Sequence, residues 1–276
     1  MPSIPSIKLN NGVEMPQLGY GVFQIPLQET YDAVTEALRA GYRSIDTAAG
    51  YGNEEGVGRA IAESGIPRDE LFVTTKLQND DQGYDQALRA FDQSMRLLGL
   101  EQLDLYLIHW PMAGVDKYVD TWRAFVKLVE DGRIRAAGVS NFQPAHLERI
   151  IQEVGLVPAV NQVELHPYLQ QKELRAFNDQ LGVATEAWSP LGQGQGLLND
   201  PTLAEIAERH GKSPAQVALR WQLQERNIVI PKSVTPARIA QNLDVFGFEL
   251  TATDILEIEK LNRDERVGPD PDVLGA

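Results

Sequence analysis

The sequence predicts an α/β protein built as a single closed (β/α)8 barrel of the TIM type, with an N-terminal β-hairpin before it and a short C-terminal tail after it. Three observations carry that prediction. Eight short apolar runs recur along the chain with amphipathic segments between them, the pattern of parallel βαβ units. The runs are continuously apolar rather than alternating, as strands covered on both faces are. No Pro/Gly/Ser-rich linker or compositional shift interrupts the 276 residues, a length that suits one barrel. Two doubly wound domains are the alternative. Eight units in one unbroken run favour one barrel domain spanning residues 1–276.

In chain order, IKLNNGVEMP (7–16) alternates apolar and polar residues around Asn-Gly and reads as a hairpin capping the barrel bottom. The strands are expected at PQLGYG (16–21), YRSIDT (42–47), LFVTTK (71–76), LDLYLIH (103–109), IRAAGVS (134–140), PAVNQVEL (158–165), GVATEAW (182–188) and NIVIPKS (227–233). Between them, ETYDAVTEALRAG sets Ala33, Val34, Ala37 and Leu38 on one helical face and closes on a glycine. DQALRAFDQSMRLLGL repeats that design. YVDTWRAFVKLVEDGR, PAHLERIIQEVG, LQQKELRAFNDQLG, DPTLAEIAERHGK and TPARIAQNLDVFG supply further helices. Helix-forming sequence also starts near Asn53, read as a helix cap. TATDILEIEKLN adds one more helix before a polar Gly/Pro/Asp ending that reads as mobile.

Composition narrows the function classes. A formal charge of −14 argues against nucleic acid as the main partner, although a local basic pocket for an anion is still allowed. With no cysteine there can be no disulfide, thiolate metal site or cysteine nucleophile. MPSIPSIKLNNG lacks the basic start and apolar core of a secretory leader, and no apolar run is long enough for a membrane span. A cytoplasmic protein is expected. The four histidines (109, 146, 166, 210) are scattered, so no metal is expected.

In a barrel of this kind chemistry gathers where strands end and loops to the helices begin. The second strand delivers Asp46, with Tyr51 in its loop, and the third delivers Lys76. His109 ends the fourth and Trp110 follows it. Ser140 and Asn141 end the fifth, Asn161, Gln162 and Glu164 the sixth, Trp188 and Ser189 the seventh, and Lys232 and Ser233 the eighth. Singly, Asp46 reads as a turn residue, Lys76 as a solvated strand end and His109 as a core histidine. Together they would face one mouth. Tyrosine ionises near pH 10, too high for an ideal proton shuttle. A neighbouring ammonium stabilises phenolate and lowers that value, and a carboxylate fixes the ammonium. Asp46, Lys76 and Tyr51 can thus make a tuned general acid, with His109 orienting a carbonyl oxygen. A protonated carbonyl then needs a reductant, and a bound hydride donor would suffice.

GYRSIDTAAGYGNEEGVG, TTKL, LDLYLIHWP, GVSNF, NQVELHP and IPKSVTPARIAQN, in this order, resemble the signature segments of the aldo-keto reductase superfamily. The likeness runs across almost the whole chain and is nearest to prokaryotic members of the 2,5-diketo-D-gluconate reductase type. It implies a barrel that binds NADPH (with NADH less favoured) and reduces aldehydes and ketones, dicarbonyls and keto-sugar acids among them. It implies Tyr51 as general acid, Lys76 and Asp46 as its tuners and His109 as the group that orients substrate oxygen. Ser140, Asn141 and Gln162 would hold the nicotinamide carboxamide, and Trp188, where many members carry tyrosine, would stack on the ring. Ser189, Leu191 and Gln193 would lie over the pyrophosphate. Lys232, Ser233 and Arg238 would take the adenosine 2′-phosphate, with Asn242 at the adenine. Phe23, Ala48 and Trp110 would line the substrate pocket. After Lys76-Leu77 this chain has Gln78 where many members have tryptophan, so the pocket is expected to be wider or more polar. The resemblance also implies a monomer.

GQGQG (192–196) is no dinucleotide fingerprint, because its third glycine is badly spaced and a full two-half Rossmann context is absent. Two other function classes compete with a reductase. One is a nicotinamide-binding sensor or structural protein on the same scaffold, which would not need all four of Asp46, Tyr51, Lys76 and His109. The other is a hydrolase or isomerase without nicotinamide, against which the 231–242 segment stands.

Overall fold

The computed structural model describes residues 4–275. The first three residues of the segment read for a leader, and the last residue of the tail, lie outside them. Strands β1 (Ser6–Lys8) and β2 (Glu14–Pro16) pair antiparallel, with Ser6 opposite Pro16. Gly12 takes φ 88° in their turn, a value that favours glycine. Leu9 and Met15 join Phe72, Leu105, Val160 and Ile228 in one buried cluster. Asn10 and Asn11 donate side-chain hydrogen bonds to the carbonyls of Pro158 and Arg135, at 2.9 and 3.0 Å. The hairpin therefore plugs the end at which the barrel strands begin.

The barrel strands are β3 (Tyr20–Gly21), β4 (Ser44–Asp46), β5 (Phe72–Leu77), β6 (Leu103–Ile108), β7 (Ile134–Ser140), β8 (Val160–Glu164), β9 (Ala184–Trp188) and β10 (Ile228–Val229). They form one parallel sheet in sequential order. A parallel bridge between Leu18 and Val229 closes it, supported by Gly19 N–H to Val229 O at 2.8 Å. The expected strands are found, mostly shorter than the apolar runs that announced them. The first and last are the shortest, at two residues each.

Around the sheet lie α1 (Leu27–Ala40), α2 (Glu54–Glu63), α3 (Tyr84–Leu98), α4 (Tyr118–Glu130), α5 (Pro144–Val154), α6 (Lys172–Leu181), α7 (Pro201–His210), α8 (Pro214–Gln224), α9 (Pro236–Leu243) and α10 (Ala252–Glu259). Several end on left-handed glycines, as the sequence implied: Gly41, Gly99, Gly155 and Gly182. Gly58 lets α2 approach α3, since a Cβ there would lie 2.4 Å from the Leu98 carbonyl oxygen. No helix among the described residues is long and apolar enough to cross a membrane.

Three local expectations change. Two helices, α7 and α8, stand between the seventh and eighth barrel strands where one was expected. Helix α8 is nearly all buried, glutamines 216 and 222 included, so it shows no clean polar face for periodicity to find. Asn53 makes no capping bond to α2. It is buried, accepts from Thr47 Oγ1 at 2.8 Å, and donates to the carbonyls of Val22 and Ile25, tying two mouth loops together. The tail is pinned rather than free. Val267 and Gly268 N–H donate to the two carboxylate oxygens of Glu164, at 2.6 and 3.0 Å, and Gly275 O accepts from Gly114 N–H.

Candidate active site

Strand β4 ends at Asp46, and Thr47 N–H still bonds β5 at Thr74 O. The chain then bends through a single 3-10 turn, Ala49–Tyr51, which closes on left-handed Gly52. That turn aims the Tyr51 ring back toward the barrel axis. Lys76 rises from the adjacent β5 with its side chain only 1% exposed. Its ammonium donates to Asp46 Oδ1 at 2.6 Å, Thr47 O at 2.9 Å and Tyr51 Oη at 3.4 Å. Three protons meet three acceptors, so a buried charge is fully compensated.

The electrostatics follow from burial. Desolvation works to lower the Lys76 ammonium, but Asp46 and Tyr51 outweigh it and its pKa stands above the ordinary lysine value. Tyr51 differs from the sequence expectation. Lys76 does pull the phenol down, yet burial is the larger effect and Asp46 adds to it, so Tyr51 stands above pH 10 rather than below. Burial, helped by Lys76, holds His109 at about 3, so its imidazole is neutral near pH 7. The His109 ring meets Tyr51 edge-on, centroids 5.7 Å apart.

Opposite stands a wall from β7, β8 and β9. Ser140 Oγ donates to Gln162 O at 2.8 Å, and Asn141, at φ 63°, donates to His109 O at 3.0 Å. Trp188 Nε1 donates to Asn141 Oδ1 at 2.8 Å, and the indole lies against Gly268 of the tail, where any Cβ would collide with it. Gln162 Nε2 donates to Asp46 Oδ2 at 2.8 Å and to Glu186 Oε2 at 2.9 Å. Both amide protons are thus committed beneath the mouth, leaving the amide oxygen as the group Gln162 can still offer.

These residues floor one cavity of about 880 Å³. Its wall carries Phe23 and Trp110 beside Tyr51, and Ser189, Leu191 and Gln193 along one side. Lys232, Ser233 and Arg238 stand where α9 begins, and Asn242 lines the cavity from the last turn of the same helix. Two expected residues are not on that wall. Lys76 lies under the floor, bonded to Asp46 and Tyr51. Ala48 is fully buried, and its carbonyl accepts from Tyr51 N–H at 3.0 Å, so it shapes the turn instead of lining a pocket.

The sequence reading missed several contributors. Ser213, Pro214 and Ala215 line the cavity from the start of α8, announced by the capping box Ser213–Gln216 in SPAQ. Val267, Gly268 and Leu274 line it from the tail. Nothing in their residue types points to a mouth. Glu186, on β9, is one more residue that the sequence reading did not name.

The donor set at the α9 end suits an anion. Among the described residues neither Lys232 nor Arg238 makes an ion pair, and the N-cap of α9, Thr235, makes no side-chain capping bond. Two unpaired cations and a helix N-terminus, in a protein of charge −14, could hold a phosphate group. At the other end lie a buried phenol, a neutral imidazole and amide groups. NADPH, a long coenzyme with phosphate at one end and an amide-bearing ring at the other, fits these residues.

A parallel barrel with a buried phenol–ammonium–carboxylate cluster at one end of the cleft and two unpaired cations at the other suits a coenzyme-dependent oxidoreductase. The model of the Aldo/keto reductase family matches residues 15–263. The chain is 56% identical over 270 residues to the glyoxal reductase of Bacillus subtilis, covering 98% of this chain and 97% of that one. Among solved structures it matches an aldo/keto reductase from Brucella melitensis at 59% identity and TM-score 0.93, over 95% and 99% of the two chains. A Gox0644 mutant in complex with NADPH matches at 51% identity and TM-score 0.95, over 99% of each. This chain belongs to the aldo/keto reductase family. It is an NADPH-dependent oxidoreductase that reduces carbonyl groups to alcohols.

Proposed function

We propose that Tyr51 delivers the proton in this reduction, with Lys76 and Asp46 as its positioning pair and His109 as the group that orients the carbonyl oxygen. The observation that carries this reading is the single ammonium of Lys76 bound to both Asp46 and Tyr51 Oη, at 2.6 and 3.4 Å. When bound, NADPH supplies the hydride for the carbonyl carbon. As negative charge grows on the substrate oxygen, the Tyr51 phenol gives up its proton, and the ammonium beside it stabilises the phenolate left behind. The neutral His109 ring donates a hydrogen bond without competing for that proton.

The same reading places the coenzyme on named residues. Ser140, Asn141 and the free oxygen of Gln162 hold the carboxamide, and Trp188 covers the ring. Ser189, Leu191 and Gln193 follow the pyrophosphate. Lys232, Ser233 and Arg238 take the 2′-phosphate, and Asn242 approaches the adenine. Substrates are small aldehydes and ketones, dicarbonyls first, because the rings of Phe23, Trp110 and Trp188 crowd the polar centre of the cavity and a close relative is named a glyoxal reductase. Keto-sugar acids are the second class. The protein works as a monomer of the cytoplasm, a compartment suited to a chain without cysteine.

The test is NADPH oxidation with glyoxal, methylglyoxal, a nitrobenzaldehyde and a diketo-sugar acid, alongside Tyr51→Phe. The variant is expected to bind NADPH as the wild type does and to lose at least about a thousandfold in kcat, a proton donor's worth. Substantial turnover by Tyr51→Phe would refute the proton-donor assignment. A wild type that binds NADPH and reduces none of the four would favour a sensor or structural role.

A further inference from the structure

Beneath the floor of the site, the amide nitrogen of Gln162 joins two acidic side chains. One is Asp46, at 2.8 Å; the other is Glu186 on β9, at 2.9 Å. Glu186 is fully buried, and its second oxygen, Oε1, has no hydrogen-bond partner among the described residues. A carboxylate so enclosed with one bare oxygen is costly, whereas the neutral acid is much less so. Its neighbours are few. Its register partners on β8 and β10 are Gln162 and Ile228, both uncharged. The charged and titratable groups acting with it are Asp46 from β4, Lys76 from β5 and Tyr51 from the turn after β4.

We propose that Glu186 is a positioning residue of the reductase site: it holds the Gln162 amide against Asp46 and, by taking or releasing a proton, sets how much negative charge the Lys76–Tyr51 pair faces. The proposal rests on Tyr51 being the proton donor. Nothing in the established activity requires an acid at this place.

The direction of the effect follows from the charges. Burial first, then the charge of Asp46, push the Glu186 carboxyl up to about 8. Below that pH the side chain is neutral and Lys76 faces a single carboxylate. Above it a second negative charge arrives, which raises both Lys76 and Tyr51. A phenol with a higher pKa keeps its proton, so ionised Glu186 preserves the proton donor on the alkaline side. It also delays formation of the phenolate that alcohol oxidation needs as a base. Glu186 would thereby bias the site toward reduction as pH rises.

Two measurements test this. In the cofactor-free wild type, labelled with carbon-13 at the glutamate carboxyl, one resonance is expected to titrate above pH 7, and it should vanish in Glu186→Gln. If no glutamate titrates above pH 7, the proposal is overturned, and this readout holds even if the variant fails to fold. In Glu186→Gln, the alkaline limb of kcat for reduction is expected to move to lower pH by about one unit, the size of one nearby like charge. The limb of alcohol oxidation should move the same way. A variant that loses thermal stability while both limbs stay in place has lost a purely structural residue, and that result overturns the proposal. Turnover by Tyr51→Phe would sink the proton-donor reading and leave the carboxyl titration to be judged on its own.

Discussion

Asp46→Asn removes one negative charge and changes nothing else in size. Both neighbours of the carboxylate are donors: Lys76 Nζ to Oδ1 at 2.6 Å and Gln162 Nε2 to Oδ2 at 2.8 Å. An asparagine has one acceptor and one donor there, so in either orientation a donor faces a donor while Lys76 keeps its proton. A neutral lysine resolves the conflict, because its lone pair accepts from the asparagine amide. Releasing that proton at pH 7 from a group that ionises at about 10.4 when unfolded costs about 4.6 kcal/mol, close to the ~3–5 kcal/mol of breaking a buried pair. For a chain of this size that corresponds to a melting temperature lower by roughly 10 °C.

The pH dependence separates this mechanism from simple mispacking. In the wild type the folded Lys76 stands above its unfolded value, so its contribution is complete below about pH 10.4 and is lost as pH rises through the folded value. In the variant the folded lysine lies below its unfolded value, so the deficit shrinks by about 1.4 kcal/mol for each pH unit between them. Scanning calorimetry at pH 7 and pH 9 should therefore show a smaller gap between variant and wild type at pH 9. A gap that is the same at both values, or no loss at all, would refute charge pairing between Asp46 and Lys76.

Three further outcomes are expected. Arg238→Gln should weaken NADPH by roughly tenfold or more, the loss of a charged hydrogen bond, while leaving NADH within about twofold; equal losses by fluorescence titration would dismiss the phosphate assignment. Gly58→Ala should destabilise the fold by about 1–3 kcal/mol, because its Cβ meets the Leu98 carbonyl at 2.4 Å with no flexible side chain to yield; denaturant melts showing no change would contradict the α2–α3 contact. His109, held at about 3 by burial and Lys76, should show a neutral ring by nitrogen-15 NMR at pH 5, and a ring titrating near pH 6.5 would refute that environment.

The barrel was legible because its strands are apolar on both faces and its helices are striped, so periodicity and glycine stops mark nearly every element. Where burial is complete on all sides, that signal fails. Helix α8 hides two buried glutamines behind an apolar run, and only its Ser-Pro-x-Gln start announces it. Asn53 shows the complementary error. An asparagine before a helix has the chemistry of a cap, yet this one ties nearby Thr47 to Val22 and Ile25, and the last two lie 31 and 28 residues away, outside any local window.

Residue type and order by themselves determined the barrel, the strand ends that carry Asp46, Tyr51, Lys76 and His109, and the basic segment at the start of α9. These are local properties, written in short windows. Tertiary structure decided what those groups do to one another. The buried phenol stands high rather than low because desolvation outweighs the ammonium beside it. Gln162 spends its amide protons on Asp46 and Glu186, from β4 and β9. The tail becomes part of the mouth because the buried carboxylate of Glu164 captures two of its backbone N–H groups. Each depends on which side chains share a dry interior, and that is set only when the sheet closes.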